Sequence, residues 1–62
     1  MKYSELLEII KKNGWKFDRH GANHDLYIND DFPNVQIPIA RHLAKEVPTG
    51  TLNAIFKATG LK

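Results

Sequence analysis

WKFDRHGANHDLYI, residues 15–28, is the stretch that decides how this 62-residue chain folds. Trp15 and Phe17 alternate with Lys16 and Asp18. From Asn23 the alternation resumes, with His24, Leu26 and Ile28 on one side and Asn23, Asp25 and Tyr27 on the other. A period of two is the mark of half-buried strands, and Gly21 between the two runs marks a turn. The spacing predicts a hairpin with Trp15 and Phe17 in the core. It places Leu26 and Ile28 inward, His24 at the rim of that buried face, and Tyr27 on the opposite face.

Upstream, Tyr3, Leu6, Leu7 and Ile10 follow the spacing of an amphipathic helix. Ser4 can cap it, Glu5 and Glu8 lie early, Lys11 and Lys12 suit the negative end of the helix dipole, and Asn13-Gly14 stops it. Downstream, NDDFPN (29–34) is a turn. Val35, Ile37 and Ile39 read as a third strand, placed at an edge by Pro38, which has no N–H for a ladder. Residues 40–48 are irregular, with room for a helical turn. Thr49 or Thr51 can then cap a second helix that buries Leu52, Ile55, Phe56 and Thr59. Gly60 reads as a left-handed cap with Leu61 folding back in a Schellman arrangement. The order is α-β-β-β-α, an α+β fold. Two apolar helices and one half-apolar sheet have a single good solution, a three-stranded antiparallel sheet with both helices packed on one face. With no linker or repeat, residues 1–62 read as one domain.

Composition narrows the function classes. A chain this short buries only about 60% of its unfolded surface, so the core must be compact. The absence of cysteine removes disulfides and thiolate metal sites, and a reducing cytoplasm fits it. No apolar run reads as a signal peptide or membrane span, so the expectation is a soluble cytoplasmic protein without membrane contact. The net charge of +2 is too small to establish nucleic-acid binding. Its distribution says more: no Lys or Arg lies between Arg19 and Arg41. If Lys16, Arg19, Arg41 and Lys45 meet in space, they form an anion site.

The element order resembles the double-stranded-RNA-binding fold, and three stretches resemble the HicA family of toxin ribonucleases. The first is the opening helix running into NGW (13–15). The second is GANH (21–24), where the family carries a glycine-serine-x-histidine motif on its second strand. The third is GTLNAIFKATGL (50–61), similar to the family's closing helix almost residue for residue. The resemblance implies an endoribonuclease that cleaves messenger RNA without a cofactor. It also implies a HicB-type antitoxin that covers the active site, and it matches His24 to the catalytic histidine. Ala22 departs from the usual serine. Asn23 stands where many members carry a further histidine, and is kept as an RNA contact. The loop ARHLAKEVPTG (40–50) also departs, since His42 lies farther from Pro38 than the family's histidine often lies from its proline.

Cleaving RNA without a metal needs a group that exchanges protons near neutral pH. Histidine, with an ordinary pKa of about 6.5, is best matched to that. Lys16, Arg19 and Arg41 are the candidate cations for the phosphate, and His42 is a candidate for a second proton transfer or a phosphate contact. Tyr27 is the candidate for base stacking or for the antitoxin interface. His20 and His24 have the spacing of a helical metal pair, but Gly21 between them argues for a turn, and nothing completes a zinc set. Asp25, Asp30 and Asp31 read as ordinary turn residues rather than a magnesium cluster. The other classes are a non-catalytic RNA-binding module of the double-stranded-RNA type and a domain that docks a protein on its open sheet. Against the module stands a second helix with only Lys57.

Overall fold

A computed structural model of the protein describes residues 1–61. It orders them as α1 (Tyr3–Lys12), β1 (Lys16–His20), β2 (His24–Ile28), β3 (Ile37–Ala40) and α2 (Thr49–Thr59). The sheet is antiparallel in the order β1-β2-β3. This is the expected α-β-β-β-α architecture, with β3 and its Pro38 at an edge.

α1 buries Tyr3, Leu6 and Ile10, as its periodicity requires. It starts one residue before the serine expected to cap it. Its first N–H groups are satisfied by backbone from the irregular segment before α2: Tyr3 N–H donates to the Lys45 carbonyl and Ser4 N–H to the Leu43 carbonyl, both at 3.0 Å. The Glu5 carboxylate accepts from Lys2 N–H at 2.9 Å. With those donors already engaged, a serine hydroxyl has nothing to cap. At the other end Trp15 N–H reaches the Ile10 carbonyl and Gly14 N–H the Lys11 carbonyl, a Schellman motif around Gly14 with its φ of +91°.

α2 likewise begins at Thr49 without a side-chain cap, after Pro48, so neither threonine caps it. Its far end closes on Gly60, φ +74°, through one bond from the Gly60 N–H to the Phe56 carbonyl. Leu61 packs on the core as expected, but its N–H donates to Thr59 Oγ1, so the simpler left-handed cap replaces the Schellman motif.

The core joins Leu6 and Ile10 of α1, Trp15, Tyr27 of β2, Ile37 and Ile39 of β3, Val47 and Ile55 of α2. Truncating a fully buried aliphatic such as Leu6 or Ile37 costs about 2–5 kcal/mol. Trp15 sits there as expected, with the Phe32 ring stacked 5.5 Å away. Asn29, also buried, joins the two ends of the hairpin: its Nδ2 donates to the Asn13 carbonyl and its Oδ1 accepts from Asp31 N–H.

The facing of β2 reverses the expected one. Tyr27 pairs with Ile37, and Asp25 with Ile39. Paired residues of an antiparallel ladder share a face. Ile37 and Ile39 are essentially inaccessible beneath the helices, so register carries Tyr27 and Asp25 to the helix side. Leu26 and Ile28 are left half-buried on the open face, and Tyr27, expected outside, is only 7% exposed. Both faces of β2 offer apolar side chains, and the branched pair on β3 decides between them. β1 lies farthest from the helices and is exposed along its whole length. Phe17, expected in the core, shares the helix-side face with Tyr27 yet stays 47% exposed.

Candidate active site

The hairpin mouth is where the candidate residues gather. A bulge at Asp18 breaks the alternation of β1, so Lys16 faces Ile28, Phe17 faces Tyr27, Arg19 faces Leu26 and His20 faces Asp25. Through this register Lys16 and Arg19 share the open face of the sheet with His24, Leu26 and Ile28. Without the extra residue Arg19 would fall on the helix side. His24 opens β2 opposite Ala40 and is half-buried. None of the side-chain hydrogen bonds among the described residues engages its ring. A half-buried imidazole with its nitrogens uncommitted can accept or deliver a proton at an approaching ligand.

The cations on this face are held loosely. Arg19 Nη1 lies 2.6 Å from Asp18 Oδ2, and Lys16 Nζ lies 3.7 Å from Asp30 Oδ2. Both cationic side chains are more than half exposed, so these pairs contribute little to stability and yield readily to a phosphate. Asn23 is exposed in the turn, and His42 is exposed just after β3.

Two expected contacts are placed otherwise. Tyr27 belongs to the core and offers no face for stacking; the exposed aromatic is Phe17, whose ring lies 5.0 Å from the His20 ring and 6.0 Å from that of Tyr27. Arg41 is not a free cation. Its Nε donates to Asp25 Oδ1 at 3.1 Å, its Nη1 to the Ala22 carbonyl at 3.1 Å, and its Nη2 to the Gly21 carbonyl.

Asp25 is the centre of a network on the helix side of the hairpin mouth. His20 Nδ1 lies 2.7 Å from the same Oδ1 that Arg41 contacts. The hydrogen bond from His20 lowers the Asp25 pKa below the usual carboxylate value; partial loss of hydration opposes this, and the Arg41 guanidinium adds to the lowering. An ionised carboxylate only accepts, so the His20 proton in this pair sits on Nδ1. A hairpin turning at residues 22–23 sets residue 20 opposite residue 25, so the pairing could be read from Gly21 and the strand pattern. The reach of Arg41 from β3 had no local signal.

Among the described residues no three His, Asp or Glu side chains converge as a metal site. No helix among the described residues is long and apolar enough to cross a membrane. Over residues 3–61 the chain matches the family model described as HicA toxin of bacterial toxin-antitoxin. Comparison with curated proteins gives no significant match.

Proposed function

The chain belongs to the HicA family, toxins of bacterial toxin-antitoxin systems, and on that premise we propose that it is a metal-independent endoribonuclease of messenger RNA with His24 as its general acid or base. The observation that carries this reading is the sharing of one open sheet face by His24, Arg19 and Lys16. In such a cleavage the ribose 2'-oxygen attacks the adjacent phosphorus and the bond from phosphorus to the 5'-oxygen breaks. One proton leaves the 2'-hydroxyl and one is delivered to the departing oxygen. His24 performs one of these transfers. Arg19 and Lys16 neutralise the charge that grows on the phosphate oxygens, an effect commonly worth a few kcal/mol per well-aimed donor. Asn23 and His42, exposed near the ends of β2 and β3, contact the RNA as it passes the hairpin mouth. The substrate places the protein in the cytoplasm, and a HicB-type antitoxin silences it by covering the same face.

Cleavage of a long single-stranded RNA in excess EDTA, by wild type and by folded His24→Ala, tests this. Cutting by wild type alone is the expected result. Equal cutting by both removes His24 from the chemistry. RNA binding without cutting by either replaces the nuclease with a binding module.

A further inference from the structure

A two-residue hairpin turn ordinarily closes itself by taking positive φ at one or both central residues, which matches the twist of its strands. The turn between β1 and β2 lacks this device, since neither Ala22 nor Asn23 has positive φ, and nor does Gly21. Gly21 N–H does donate to the His24 carbonyl at 2.7 Å. A Cβ at Gly21 would meet that carbonyl oxygen at 3.0 Å, a close approach to backbone that glycine avoids. The Gly21 carbonyl turns outward and is taken by Arg41, as is the next carbonyl, that of Ala22. Arg41 directly follows Ala40, the cross-strand partner of His24. Its remaining contact, to Asp25, lies on the residue after His24. One planar fork therefore grips the chain on both sides of His24.

We infer that Arg41 is a positioning residue: it braces a turn whose own backbone closes it with a single bond, Gly21 N–H to the His24 carbonyl, and so fixes the backbone that presents His24. Lysine cannot replace it, because a single ammonium does not span three acceptors in one plane. The kinetic consequence rests on the ribonuclease reading, whereas the mechanical one does not. A phosphate ligand would behave differently in both respects, since a lysine would serve and RNA affinity would carry the loss.

The test compares Arg41→Lys and Arg41→Ala with wild type, first without RNA. Amide hydrogen exchange of Gly21 should accelerate about tenfold or more in both variants, with Tyr27 unchanged, and the His24 ring resonances should shift. Unchanged exchange and unmoved resonances in Arg41→Lys overturn the inference, and that variant suffices if Arg41→Ala does not fold. With RNA, kcat should fall on the order of 10–100-fold in Arg41→Lys at nearly constant KM. A raised KM, a salt slope of binding smaller by about 0.7 in Arg41→Ala, and full activity in Arg41→Lys would make Arg41 a phosphate contact instead. If wild type cuts no RNA, the ribonuclease reading fails alone, and exchange and resonances still decide the role of Arg41.

Discussion

His20 Nδ1 and Asp25 Oδ1 face each other across the hairpin at 2.7 Å, and the carboxylate they share with Arg41 is held ionised below its usual range. A carboxylate whose pKa is lowered by folding contributes stability that is complete above its unfolded value of 3.8 and disappears as pH falls through the lower folded value. The loss therefore begins near about pH 5 and continues downward. Urea unfolding across an acid pH series should show a steeper decline for wild type than for Asp25→Asn. Parallel declines would mean that the network leaves the Asp25 pKa where the unfolded chain has it.

Phe17 and Tyr27 are neighbours on one face with opposite burdens. Phe17→Ser should change stability by less than about 1 kcal/mol, since the ring is 47% exposed. Tyr27→Ala should cost about 3 kcal/mol or more, the loss of a ring from the core. Denaturation midpoints at constant m check both. A large loss from Phe17→Ser would place β1 under cover.

The glycines divide by backbone. Gly14 has φ +91°, and a Cβ there would lie 3.3 Å from Asn29 Nδ2. Gly14→Ala should therefore destabilise by about 1–2 kcal/mol. Gly50, in the first turn of α2, has nothing within 4 Å of that position, and Gly50→Ala should stabilise by about 0.4–1 kcal/mol. Thermal unfolding of the two variants should move in opposite directions.

Binding and cleavage should separate on the open face. Lys16→Ala and Arg19→Ala should each reduce the salt slope of single-stranded RNA binding by about 0.7, the signature of one lost phosphate contact. His24→Ala should leave both affinity and slope nearly unchanged while cleavage is lost. A His24→Ala affinity loss as large as that of Arg19→Ala would make the imidazole a binding group.

The sequence by itself determined the element types and their order, because those rest on local patterns: the 3.6-residue period of α1 and α2, the alternation around Gly21, and the breaks at Asn13-Gly14 and Gly60. It also placed His24 at the start of β2 and Pro38 at an edge. Tertiary structure alone decided which face of β2 is buried. Leu26 and Ile28 on one side and Tyr27 on the other balance locally, and the choice belongs to Ile37 and Ile39 through register. The bulge at Asp18, which brings Arg19 to the face of His24, adds one residue without a local signature. The start of α1 depends on tertiary structure for a related reason, since backbone from residues 43 and 45 supplies what a capping side chain would. Arg41 shows the division most clearly: in the sequence it is one cation among nine lysines and arginines. It becomes the clamp of the turn before His24 only when β3 comes to lie beside β2, because a hydrogen bond between residues twenty apart depends on where the chain folds back.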